Sequence, residues 1–137
     1  MKIRIREGLP YVTISLTYRG QQITLENILL DTGSAGTVFL ADMVLDIGLQ
    51  LEPNDAIHRI RGVGGTEFVF TKRVDKLSLG TLQANDFEIE VGAMDYGLEI
   101  EGIIGMDFLL QVRAIVDLAQ LEITKIENHE TTKLHSK

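Results

Sequence analysis

The sequence of 137 residues contains no cysteine, which excludes disulfide bonds, a nucleophilic thiol and thiolate metal sites. Basic residues are also few. The 13 lysines and arginines stand against 20 aspartates and glutamates, and the net charge of −7 argues against a nucleic-acid or anionic-membrane surface. No apolar run is long enough to span a bilayer, and residues 1–7 contain no apolar signal core. We therefore expect a cytoplasmic protein that binds neither nucleic acid nor membrane.

The residues that are present predict one folded domain. Hydrophobic residues make up 45% of the chain, which is enough to build a core and excludes a disordered protein. The length fits a single domain. We predict that this domain covers residues 1–126 and that residues 127–137 form a polar, flexible tail.

The hydrophobic pattern predicts an all-β protein with one or two short helices. Apolar residues alternate with polar ones in short runs separated by turn signals, as in Val12, Ile14 and Leu16. A short helix is predicted over residues 40–47, ended by Gly48, and another over residues 106–111. The predicted strands are residues 2–6, 11–18, 21–30, 37–40, 57–61, 66–71, 74–79, 82–91, 113–118 and 121–126.

Two groups of polar side chains have simple expected places. Asp86, Glu88 and Glu90 alternate with apolar residues and are predicted to form a solvated strand face. The three histidines are too scattered for a metal site, and His58 is expected at the surface. We predict neither a metal nor a cofactor.

Two similar stretches mark the candidate site. The apolar run 28–30 leads directly into Asp31, Thr32 and Gly33, which places an acid at the end of a buried strand. About seventy residues later Ile103 and Ile104 lead into Gly105. Only the first stretch contains an acid. A carboxylate at such a place is costly unless it is hydrogen-bonded or shares a proton, which makes Asp31 a functional candidate.

These stretches, with the glycine-rich segment 62–65 between them, resemble the retropepsin-like aspartic proteases over roughly residues 8–125. Residues 106–109 look closer to bacterial and pepsin-like members than to retroviral ones. The resemblance implies a closed, barrel-like acid-protease fold with internal pseudo-twofold symmetry. It also implies that segment 62–65 forms the tip of a flap, a hairpin that covers the substrate.

The resemblance also implies the roles of individual residues. Asp31 would be the catalytic acid and base, Thr32 would brace it across a dimer axis, and Gly33 would leave room for the substrate. Ser34 would hydrogen-bond the carboxylate, and Gly105 would pack beneath it. The residues implied to contact substrate are Ser34, Gly62, Val63, Gly64, Gly65, Ile103, Ile104 and Gly105.

The chemistry implied by this family requires two carboxyl groups, one ionised and one protonated. This chain has a single Asp-Thr-Gly, and the second stretch has Ile103 and Ile104 where an acid would be needed. We therefore predict an aspartic endopeptidase that is active as a homodimer and cleaves an extended peptide. The alternative is a non-catalytic dimeric relative that binds peptides or holds partners together.

The sequence departs from the retroviral pattern in two places. Met106 stands where retroviral proteases usually carry an arginine. Ala35 and Gly36 stand where those enzymes often carry an acid. The brace between that arginine and that acid is therefore absent, and the sequence does not indicate what replaces it.

Overall fold

The structure is a computed structural model that describes residues 1–62, 65–93 and 99–126, with the side chains of residues 60–62, 65 and 66 excepted. Val63 and Gly64 of the predicted hairpin tip, and the predicted tail, lie outside the described residues. The described ranges contain ten strands and two short α-helices, which confirms the all-β prediction. The strands are β1 Arg4–Arg6, β2 Leu9–Tyr18, β3 Gln21–Leu30, β4 Val38–Leu40, β5 Ile57–Gly62, β6 Gly65–Leu79, β7 Leu82–Gly92, β8 Gly102–Ile104, β9 Ala114–Asp117 and β10 Glu122–Lys125.

Eight of these strands form one sheet in the order β1-β2-β3-β8-β4-β7-β6-β5. Strand β2 also pairs with β6, through Ser15 with Ser78 and Leu16 with Leu77. This additional pairing joins six strands into a closed circuit, and it leaves β1 and β5 as the outer members. The last two strands form the separate antiparallel hairpin that the sequence predicted.

Strand β8 lies between β3 and β4 and brings the two similar stretches together. It runs parallel to β3, with Leu29 opposite Ile103 and Leu30 opposite Ile104. It runs antiparallel to β4, with Val38 also opposite Ile103. The loop after β3 and the loop after β8 therefore start side by side. We call them the Asp31 loop (residues 31–37) and the Gly105 loop (residues 105–107).

Alternation along the strands divides the apolar residues between two clusters. The face of β2 that carries Val12, Ile14 and Leu16 is buried in the main core, as predicted. Tyr11 points to the opposite face and packs in a smaller cluster with Ile103. Because strands β3, β8 and β4 have apolar residues on both faces, the segment that carries the candidate site is held from both sides.

The helices are short and close to their predicted places. Helix α1 covers Ala41–Val44 and continues as a 3-10 turn over Leu45–Ile47. Gly48 ends it in the left-handed conformation with φ of 77°, which glycine adopts without steric cost. Helix α2 covers Met106–Gln111. Among the described residues, neither helix has the length and apolar character to cross a membrane.

One prediction of strand boundaries was wrong. Residues 66–71 and 74–79 were expected to be two strands, but β6 runs without a break from Gly65 to Leu79. The charged residues Lys72 and Arg73 lie between the two predicted strands. Lys72 instead lies buried in contact with Glu52 and Asp55, while Arg73 points to the other face and pairs with Asp86. Both charges have acidic partners, so the strand continues through them.

Candidate active site

Asp31 begins the loop after β3 and is half-buried. Its backbone N–H donates a hydrogen bond to the carbonyl of Ile104, 3.0 Å away on β8. Its carboxylate oxygen Oδ1 accepts the N–H of Gly33 at 2.9 Å. The backbone is therefore fixed by the sheet and one carboxylate oxygen by the loop itself. The acid is held in place by hydrogen bonds and keeps partial access to solvent.

Ser34 turns the loop back on itself. Its backbone N–H donates to the carbonyl of Asp31 at 3.1 Å, and its hydroxyl donates to the carbonyl of Gly36 at 2.8 Å. The hydroxyl was expected to reach the Asp31 carboxylate. The structure instead assigns that hydrogen bond to the Gly33 N–H, and Ser34 stabilises the far end of the loop.

Thr37 and Asp107 link the Asp31 loop to the Gly105 loop. The Thr37 hydroxyl, which is completely buried, donates to Asp107 Oδ1 at 2.7 Å and accepts the Gly105 N–H at 3.1 Å. The Thr37 N–H donates to the other carboxylate oxygen at 3.2 Å. Asp107 Oδ1 also accepts the N–H of Phe108 in the first turn of α2. This link connects the two loops in a chain that lacks the retroviral brace.

The two loops approach each other so closely that Gly105 must be a glycine. A Cβ atom at Gly105 would lie 2.8 Å from the carbonyl oxygen of Ser34 and even closer to that of Gly36. Both obstacles are backbone atoms and cannot rotate away. Backbone hydrogen bonds from Met106 to Ser34 (2.8 Å) and from Asp107 to Ala35 (3.2 Å) hold the loops at this distance. Gly105 thus lies beneath the Asp31 loop.

Glu90 does not belong to a solvated face, contrary to the prediction. Its side chain is 19% exposed, and Oε2 lies 3.0 Å from Nε2 of His58 on β5. The other oxygen lies where a side chain on Gly36 would be, since a Cβ there would overlap it. No local signal distinguishes Glu90 from Glu88, which is exposed two residues earlier. The difference arises from Gly36, which is distant in sequence.

The remaining predicted site residues divide between surface and core. Thr32 is exposed at the tip of the Asp31 loop. Ile103 packs in the smaller cluster, whereas Ile104 is completely buried in the main core and supports the loop from below. Gly62 and Gly65 pair with each other at the ends of β5 and β6, which confirms the predicted hairpin.

A cavity of about 570 Å³ lies away from both loops and is lined largely by charged residues. Hydrogen bonds from Arg19 and Lys72 lower the pKa of Glu52 to about 2. Burial lowers the pKa of Lys72, but its hydrogen bonds to Asp55 and Glu52 raise it more, and the net direction is upward. Arg19 and Lys72 are paired with Glu52 and Asp55, and we interpret these four charges as an anchor that ties residues 52–55 to the sheet.

Comparison with known proteins agrees with the geometry of the two loops. The sequence model of a family described as aspartyl protease matches residues 14–108, which is more than half of the chain. No curated protein sequence matches the chain significantly. The matched range includes Asp31, Gly105 and the hairpin between them. This membership supports a protease function in general. The chain therefore belongs to the retropepsin-like aspartyl proteases.

Proposed function

We propose that this protein is an aspartic endopeptidase and that its active site forms between two copies of the chain, each of which contributes Asp31. The observation that carries the proposal is the pair of adjacent strand ends, of which only β3 leads directly into an acid. The carboxylate of Asp107, in the Gly105 loop, is already engaged by Thr37 and Phe108. Leu30 at the end of β3 lies opposite Ile104 at the end of β8, so the residue that corresponds to Asp31 is Gly105, which has no side chain. One chain therefore supplies half of a carboxyl pair, and a twofold axis beside the exposed Thr32 would supply the other half.

The proposed mechanism uses the two Asp31 carboxyls in different protonation states. Two carboxylates a few Å apart cannot both ionise easily, so the pair shares one proton and titrates as a unit. The ionised carboxylate takes a proton from water while the water oxygen attacks the peptide carbonyl carbon. The protonated carboxyl donates to the carbonyl oxygen. The tetrahedral intermediate then collapses and the C–N bond breaks. The leaving nitrogen receives a proton from one carboxyl, and a hydroxyl of the intermediate returns its proton to the other, so that the pair again holds one proton.

The hairpin of β5 and β6 is the proposed flap. It would cover an extended peptide lying along the Asp31 loop, and main-chain hydrogen bonds of the β-addition type would supply much of the binding. The Gly33 N–H is engaged by the Asp31 carboxylate, and this fixes the direction of one carboxylate oxygen. The fixed direction supports the proposal, because a carboxyl that must meet its copy across an axis works best when it does not rotate.

A subunit-mixing experiment tests this proposal directly. Wild type is mixed with Asp31→Asn at constant total protein, allowed to exchange subunits, and assayed against a peptide library between pH 4 and 7. If each site needs two Asp31 residues, only wild-type homodimers are active. An equal mixture then retains about a quarter of the wild-type rate, whereas independent monomers would retain about half. The matched control is Asp42→Asn, an exposed acid on α1, which leaves the rate unchanged in every mixture.

The outcomes separate the proposal from its alternatives. A linear dependence on the wild-type fraction would exclude a shared site. Cleavage by pure Asp31→Asn at the wild-type rate would exclude aspartic catalysis altogether. A dimer in sedimentation analysis that binds peptides but cleaves none would support the non-catalytic peptide-binding relative instead.

A further inference from the structure

The carboxylate of Glu90 lies between the Asp31 loop and the proposed flap. Its backbone N–H donates to the carbonyl of Thr37 at 2.9 Å, which places the residue beside the end of that loop. One carboxylate oxygen occupies the space above Gly36, and the other lies 3.0 Å from His58 on β5. A group that touches both elements lies in the gap between them. The 19% exposure of its side chain shows that this gap is open to solvent.

Strand register places Glu90 on the face of the hairpin that looks toward the Asp31 loop. His58 is opposite Val69, and Val69 is opposite Gly92, so these residues share one face. Glu90 is two residues from Gly92 and belongs to the same face. The other face carries Val91, which is buried in the main core. A peptide lying between the hairpin and the Asp31 loop would therefore pass Glu90.

We propose that Glu90 is a specificity residue that receives a cationic side chain, lysine or arginine, of a bound peptide. This inference rests on the proposed function. A carboxylate offers about four acceptor positions, and His58 uses one of them. Charge-assisted hydrogen bonds from an ammonium or guanidinium group are the strongest that such an acceptor can make. Gly36 lacks a side chain, and one carboxylate oxygen of Glu90 occupies the space that a Cβ there would take.

The surrounding charges favour a cation over an anion. Glu88 lies on the same face two residues away and is exposed. The nearest arginine along this face, Arg73, is engaged by the side chain of Asp86 at 3.1 Å. A peptide carboxylate would therefore be repelled here, and a lysine or arginine would be attracted.

The test uses a peptide series in which one position at a time carries lysine, arginine, norleucine or glutamate, on either side of an apolar cleavage site. We expect one position at which lysine or arginine raises kcat/KM about tenfold over norleucine, since a charge-assisted hydrogen bond is worth at least that factor. Glu90→Gln keeps the shape and removes the charge, and it should reduce this ratio to about one. The matched control, Glu26→Gln, changes an exposed acid on β3 and keeps the ratio.

Binding separates this inference from the proposed function. The same peptides are titrated into the Asp31→Asn variant, with and without Glu90→Gln, and followed by fluorescence anisotropy. A cation preference that disappears with Glu90→Gln supports the inference even if no peptide is cleaved. If norleucine and lysine bind equally at every position, or the preference survives Glu90→Gln, the inference is wrong. In that case cleavage of neutral peptides still supports the peptidase proposal. If Glu90→Gln does not fold, the wild type is titrated with the lysine and glutamate peptides. Tighter binding of the lysine peptide at one position supports the inference, and equal binding at every position contradicts it.

Discussion

Thr37→Val should remove the link between the two loops. Valine has the shape of threonine but no hydroxyl, so Asp107 loses a charge-assisted hydrogen bond of 2.7 Å and the Gly105 N–H loses its acceptor. The first loss costs about 1.5–3 kcal/mol, and an unsatisfied buried N–H costs about 1–3 kcal/mol. Allowing for relaxation and for the partial exposure of Asp107, we expect the free energy of unfolding to fall by about 3 kcal/mol.

A double-mutant cycle with Asp107→Ala tests whether the loss comes from this link. Urea unfolding of wild type, both single variants and the double variant is measured at one protein concentration, because dimerisation would otherwise change the apparent stability. The double variant should lose at least about 1 kcal/mol less than the sum of the single variants. Thr37→Ser keeps the hydroxyl and should lose under about 1.5 kcal/mol. Additive losses, or a serine variant as unstable as valine, would refute the reasoning.

Two further predictions concern acid stability and the contact between the loops. The pKa of Glu52 is lowered to about 2 from 4.5, so its ion pairs with Arg19 and Lys72 stabilise the fold above pH 4.5 and are lost as the pH falls toward 2. Glu52→Gln should lower the Tm at pH 7 and flatten its decline between pH 4.5 and 2; an equal Tm difference at both ends would contradict this. Gly105→Ala should cost about 1–3 kcal/mol in urea unfolding and abolish peptide cleavage, because the new methyl group overlaps the Gly36 carbonyl. A free energy of unfolding that is unchanged in Gly105→Ala would show that the two loops can move apart at no cost.

The sequence predicted the strands and the site loop because both depend on local patterns. Successive side chains of β2 point to opposite faces of the sheet, so Leu16 is buried and Thr17 is half-exposed whichever strands pair with β2. The acid at Asp31 and the glycine at Gly105 are likewise marked by the apolar runs before them. The short helix ended by Gly48 follows from the same kind of local rule. These features could be predicted without knowing which strands pair.

The features that sequence reasoning missed depend on contacts between distant segments. Glu90 looks identical to Glu88 in the alternating pattern, and only the empty space above Gly36 explains its burial. Thr37 reads as the first residue of an apolar strand, and Asp107 as a favourable charge at a helix start. Their hydrogen bond exists because β8 inserts between β3 and β4, and no local pattern carries that topology. The strand prediction stopped before Lys72, whose ion-pair partner Asp55 lies on a different segment.

The insertion of β8 between β3 and β4 has a consequence for protein synthesis. Asp31 obtains its backbone partner, Ile104, only from a strand that leaves the ribosome more than seventy residues later. Until then β3 lacks its parallel partner β8, and Gly105 does not yet pack against the Asp31 loop. A nascent or truncated chain that ends before β8 would therefore carry the acid without the geometry to use it. The proposed active site therefore becomes competent only after β8 has been synthesised.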